Sequence, residues 1–222
     1  MNIEIKKYKE ISNELDGNAT LVAVSKTKPV EDIKALYDLG QRDFGENYVQ
    51  ELTEKYEQLP KDIRWHFIGH LQSNKVKFIA PFIHLIHGVD SFGLLKEINK
   101  QAVKNNRIIN CLLQIHIAKE ETKFGLSSPE LHELIQMIDG DKDLKNILVQ
   151  GLMGMASFSN NRDLVRSEFK YLKSLYDSNA QLSFINFQFS IISMGMSSDY
   201  KIALQEGSNM VRIGSLLFGS RE

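Results

Sequence analysis

The sequence predicts an α/β fold: one closed (β/α)8 barrel of TIM type, with an extra helix at its amino end. Three observations point there. Roughly eight short apolar runs of strand length recur along the 222 residues, a stretch of helical period follows each, and no long structureless insertion separates them. Strands that alternate with helices pair in parallel, and a count near eight favours closure into a barrel. An open, doubly wound sheet stays the alternative, since one miscounted strand converts the first reading into the second.

Ile3, Tyr8, Ile11 and Leu15 share one helical face, so a leading helix is expected over residues 2–15, stopped by Asp16-Gly17-Asn18. The first strand is residues 21–26. Pro29 opens a helix that Gly40 ends. Residues 42–44 form a short second strand, and Asn47 caps a helix running through Leu59. Residues 63–68 are the third strand, 74–79 a helix, 84–88 the fourth strand. Ser91 caps a helix over 92–104. The fifth strand is 108–117, and Pro129 sits near the start of a helix ending at Ile138. Residues 146–150 form the sixth strand, with Gly151-Leu152-Met153-Gly154 after it. A helix over 163–176, a seventh strand of open register within 184–193, a helix over 198–206 and an eighth strand at 210–213 complete the chain.

A chain of 222 residues buries a full-sized core, and one domain over 1–222 is expected. Hydrophobic residues at 42% and charged ones at 25% are ordinary for a soluble globular protein. A formal net charge of -1 argues against nucleic acid or a membrane as partner. The amino terminus lacks the apolar core of a signal peptide and no run is long enough to span a bilayer, so a cytoplasmic location is the expectation. The one cysteine, Cys111, lies in an apolar run and reads as a buried, inert thiol. His84 and His87 are three apart, on opposite faces of a strand, a poor metal pair. No metal site is expected.

In such a barrel, chemistry gathers at the carboxyl ends of the strands. Lys26 ends the first strand. It is either a lysine that snorkels to water or one held dry, with its pKa lowered so that it forms a Schiff base. A phosphate site in these barrels is built from the loops after strands seven and eight. Ser193, Gly195 and Ser197 supply hydroxyls and a glycine in the first of these, Gly214 and Ser215 in the second, where backbone N–H groups favour an anion. Taken singly, each reads as a cap serine or a turn glycine. Arg212 faces opposite to Val211 and Ile213; it pairs with an acid or, pointing inward, donates to a ring nitrogen. His66 is as readily a satisfied core histidine as a functional one. A lysine and a phosphate cup across one mouth suit a small phosphorylated aldehyde, pyridoxal 5′-phosphate being the natural candidate.

The runs AVSKTKP (23–29), FGENYVQE (44–51), WHFIGHLQSNK (65–75), GLMGM (151–155), SMGMSSD (193–199) and MVRIGSLLFG (210–219) resemble the pyridoxal phosphate homeostasis protein family, related to the barrel domain of alanine racemase. The resemblance implies a barrel of the alanine racemase N-terminal-domain type. It implies that Lys26 forms the internal aldimine, that Ser193, Gly195, Ser197, Gly214 and Ser215 surround the phosphate, and that Arg212 faces the pyridine nitrogen. Asn47, His66 and Met155 would line the pocket near the ring. Lys28 is the less favoured Schiff-base lysine, and Lys123 is a candidate for assisting transfer. Two stretches depart from the family's usual spelling: Met155-Ala156-Ser157-Phe158 replaces a proline-containing turn, and residues 184–192 are unusually apolar.

Two functions follow. A carrier would store, buffer or deliver pyridoxal phosphate to apo enzymes that require it, acting as a monomer or weak dimer. An amino-acid racemase would need an acid/base on each face of the bound substrate; related racemases take the second from a tyrosine of an additional domain. This chain ends at Glu222, just after the last strand, and its tyrosines lie elsewhere, so the carrier reading, without catalytic residues, is the expectation. An aldolase or isomerase acting on a sugar phosphate also fits lysine plus cup, but leaves the family runs unexplained.

Overall fold

The computed structural model describes residues 3–120, 124–182 and 186–219. Among them, eight parallel strands close into a barrel in chain order: β1 (Thr20–Val24), β2 (Asp43–Glu46), β3 (Arg64–Phe67), β4 (Leu85–Val89), β5 (Ile109–Ile115), β6 (Ile147–Gly154), β7 (Phe187–Ser193) and β8 (Met210–Ile213). The last strand pairs with the first, Val22 lying opposite Arg212 and Ala23 opposite Ile213. Residues 183–185, where the seventh strand was expected to begin, lie outside the described residues.

Period-two alternation sorts each strand into two faces. Val22, Leu85, Leu112, Met153 and Met210 fill the barrel interior, with Met155 and Ile191 against them. Their neighbours Ala23, Ile86, Leu113, Leu152 and Val211 face outward and join the larger core under the helices. That outer layer comprises α1 (Ile5–Leu15), α2 (Val30–Asp38), α3 (Val49–Gln58), α4 (Val76–Ile79), α5 (Phe92–Lys104), α6 (Ser128–Gly140), α7 (Arg162–Asn179), α8 (Tyr200–Gln205) and α9 (Ser215–Phe218). The caps follow local chemistry. Ser91 Oγ accepts from the Leu94 amide at the start of α5, and Ser127 and Glu130 form a reciprocal capping box on α6.

Several expected boundaries move, and three bear on the site. β1 stops at Val24, which leaves Lys26, expected as the strand's last residue, in the turn after it. Asn47 does not cap α3; Tyr48 occupies that position without a side-chain bond, which leaves Asn47 at the end of β2. Gly151 does not end β6. It has a φ of +150°, and a Cβ there would overlap the Ile191 carbonyl oxygen, so the glycine lets β6 run against β7 through to Gly154. Among the described residues no helix is long and apolar enough to cross a membrane.

Candidate functional site

A cavity of about 530 Å³ opens at the carboxyl ends of the strands. Of the residues singled out in the sequence, Lys26, Asn47, Met155, Ser197, Arg212, Gly214 and Ser215 line it together. β1 stops at Val24, so Lys26 lies in the turn after it, closed by the Lys28 amide on the Ser25 carbonyl at 3.0 Å, and that turn brings Lys26 to the cavity. Lys28 also lines the cavity, but its Nζ donates to the Phe218 carbonyl at 2.8 Å. Lys123 lies outside the described residues.

The lining carries Lys26, Lys28 and Arg212 and, among the described residues, no carboxylate. It is an anion's environment. On the rim beside Lys26, since β8 pairs with β1, Ser197 Oγ accepts from the Gly214 amide at 3.2 Å and joins the two loops. Ser215 starts α9, where the first N–H groups of a helix have no carbonyl to meet. Asn47 adds a buried Oδ1 without a hydrogen-bond partner among the described residues. A neighbouring recess of about 610 Å³ shares Asn47 but is lined by Glu51 and Glu54, which suit an anion poorly. Phe158, 88% exposed, stands at the edge of the cavity; an aromatic amid small polar residues was the signal in the sequence that would have found it.

Three expected pocket residues take other places. Gly195 is absent from the lining; it adopts a φ of +96° and packs so tightly on α8 that a Cβ would sit 2.6 Å from that of Ala203. It shapes the β7–α8 loop from behind. Ser193 is fully buried, and its Oγ accepts from Arg212 at 2.6 Å. His66 lies one layer deeper in the barrel, beside Gly45 and Leu85. Its Nδ1 is 2.9 Å from His87 Nε2 and its Nε2 is 3.0 Å from Asp43 Oδ1.

These groups form one chain through the barrel interior. Arg212 donates to Ser193 and to the Gly154 carbonyl, Ser193 Oγ is 3.3 Å from His87 Nδ1, His87 meets His66, and His66 meets Asp43. With both rings neutral, one arrangement satisfies every contact: Ser193 donates to His87, His87 Nε2–H to His66, and His66 Nε2–H to Asp43. A cation under the mouth and a carboxylate at the far rim thus bracket a directed line of donors. Burial draws the Arg212 pKa down to about 10, opposed by Asp199, and the guanidinium stays charged at neutral pH. Burial would raise Asp43, but hydrogen bonds from Arg64 (2.7 and 2.5 Å) and His66 outweigh it and hold the carboxyl well below its usual range.

Asp43, His66 and His84 bring three donor atoms within 4.8 Å of one another at the amino-terminal rim, a grouping invisible in the sequence spacing. The Arg64 guanidinium already forks Asp43, so a cation there would meet like charge. The trio is an ion-paired brace.

The brace has a pH signature. Burial holds the fully buried His87 well below its ordinary value; His84 is lowered in the same direction, but it is exposed at the rim and water screens its share. Histidines whose folded pKa is lowered contribute stability above the unfolded value near 6.5, and it is lost as pH falls through the folded value. Asp43, also lowered, adds a loss at lower pH still. Glu46 opposes them: burial raises it to about 7, so its contribution is full below its unfolded value and is lost as pH rises through 7. The melting temperature is therefore expected to fall between pH 7 and pH 4, and more steeply in Glu46→Gln, which removes the opposing group; thermal melts across that range check it.

The barrel with this mouth matches the family model "Alanine racemase, N-terminal domain" over residues 5–222. The pyridoxal phosphate homeostasis protein of Aquifex aeolicus is 41% identical over 98% of this chain and 94% of its own length; that of Schizosaccharomyces pombe is 40% identical over 92% and 85%. Among solved structures, PipY of Synechococcus elongatus with PLP bound superposes with a TM-score of 0.87 at 30% identity, covering 96% of this chain and 99% of PipY. The chain belongs to the pyridoxal phosphate homeostasis protein family.

Proposed function

We propose that this protein binds pyridoxal 5′-phosphate and serves its homeostasis, holding the cofactor covalently for storage, buffering or delivery without turning over a substrate. The observation that carries this reading is the meeting, in one cavity, of Lys26 from the turn after the first strand with Ser197, Gly214 and Ser215 from the last two loops. When bound, the cofactor supplies an aldehyde that condenses with a lysine amine, forming a C=N bond and releasing one water. Lys26 is the residue for that bond. Ser197, Ser215 and the Gly214 turn would hold the phosphate, Arg212 the ring nitrogen, and Asn47 and Met155 the ring; the orphaned Asn47 Oδ1 suits a polar substituent. Ser193, Gly195 and His66 support them from behind. A donor as basic as the Arg212 guanidinium keeps a ring nitrogen unprotonated, which weakens carbanion chemistry and suits a holder.

The lining also bears on the choice between carrier and racemase. Proton exchange on both faces of an amino acid needs two acid/base groups, and among the described residues the lining contains no tyrosine, histidine or carboxylate. In the carrier reading the acceptors are apo enzymes that require the cofactor, and the protein works as a monomer in the cytoplasm. Loading with pyridoxal phosphate, reduction with borohydride and peptide mass spectrometry should place the pyridoxyl group on Lys26. An adduct on Lys28 or Lys123 alone would overturn the assignment, and racemisation well above that of free cofactor would favour the enzyme.

A further inference from the structure

The turn that carries Lys26 is gripped from behind by a buried ion cluster. Outward-facing Ser25 and Glu46 meet Glu51 and Lys55 of α3 between barrel wall and helix. Lys55 Nζ lies 2.7 Å from the Ser25 carbonyl, 2.8 Å from Glu46 Oε1 and 2.6 Å from Glu51 Oε1. Glu46 Oε1 also accepts from Ser25 Oγ at 2.6 Å, and Glu51 Oε1 accepts from the Thr27 amide at 2.5 Å. The carbonyl before Lys26 and the amide after it are thus both tied to one ammonium, directly or through Glu51.

Two features make this more than ordinary packing. The Lys55 ammonium and the Glu46 carboxylate are both buried, and such pairs contribute little net stability against an apolar alternative. The second is backbone strain at the neighbouring residue. Thr27 is β-branched yet sits at a φ of +63°, a region such residues avoid unless the surroundings enforce it. The enforcement is visible in the Glu51 bond to its amide.

We propose that Lys55, held by Glu46 and Glu51, is a positioning residue that fixes the backbone on both sides of Lys26 and so presents its amine to the cavity. This rests on the carrier reading. The cluster acts on the turn that carries the lysine, and among the described residues none of its hydrogen bonds reaches Ser197, Gly214 or Ser215, so covalent capture and non-covalent binding should separate.

The test uses the full chain, with pyridoxal 5′-phosphate followed by its imine absorption and pyridoxine 5′-phosphate, which lacks the aldehyde, followed by equilibrium dialysis. In Lys55→Met and Glu51→Gln, condensation should slow by about tenfold or more, the scale set by misplacing a reacting group, while pyridoxine 5′-phosphate binds within about twofold of wild type. Lys55→Arg should recover part of the rate. Thr27→Gly keeps the backbone amide that Glu51 holds and adopts the same φ without strain; it should melt near wild type and condense at about the wild-type rate, and in the Lys55→Met background it should restore part of the lost rate. Wild-type condensation rates in folded Lys55→Met or Glu51→Gln would overturn the proposal, as would a parallel loss of both ligands. A wild-type protein that takes up neither ligand would instead overturn the carrier reading beneath it.

Discussion

Lys26→Ala is expected to fold normally and to lose the imine absorption entirely. The residue is only half-buried at the mouth, so truncation leaves no cavity in the core, and the melting temperature should stay close to wild type. What remains is the non-covalent grip of the anion rim and Arg212. Losing the C=N bond should weaken retention by roughly 100-fold or more, about 2.7 kcal/mol. Lys28→Ala is the contrasting variant. Its amine is engaged with the Phe218 carbonyl, so its absorption should survive. Spectra and equilibrium dialysis on the two variants decide the matter; retained absorption in Lys26→Ala would defeat the assignment.

His87→Ala should have the larger effect on stability. The ring is fully buried and links His66 to Ser193. Its removal strands a nitrogen of His66 in the barrel interior and leaves the Ser193 hydroxyl, which still accepts from Arg212, without an acceptor for its proton. One buried ring nitrogen and one hydroxyl proton left without partners, at about 1–3 kcal/mol each, put the loss at roughly 4 kcal/mol before any cavity is counted. In a chain of this size that lowers the melting temperature by about 8–16 °C. Arg212 keeps its bond to the Gly154 carbonyl but rests on a hydroxyl that nothing orients, so cofactor affinity should fall as well. A melt within a few degrees of wild type would show that the interior chain carries no weight.

The parts of this molecule legible in the sequence are those that depend on neighbours along the chain. Helix α5 runs Phe92–Lys104 with Ser91 as its cap, because a serine before a stretch with apolar residues at 94, 95, 98 and 102 is a local signal. Strand β8 is Met210–Ile213, and alternation alone turns Arg212 to the face opposite Val211 and Ile213. Asn47 is a natural local choice for the cap of α3, but Tyr48 takes that position and Asn47 lines the cavity, where the family resemblance also places it. Lys55 four residues after Glu51 reads as a solvated surface pair on a helix; its burial comes from the packing of α3 on β2.

By itself, then, this sequence determined the kind of fold, the facing of Arg212 opposite to Val211 and Ile213, and the family the chain joins, since period-two alternation and ordered runs are properties of consecutive residues. Only the tertiary structure decided depth. How far down the barrel axis an inward side chain sits depends on strand register, which brings Ser197 and Ser215 to the mouth beside Lys26 and sinks His66 and Ser193 below it. Register is a relation between strands far apart in the chain, and no local pattern encodes it.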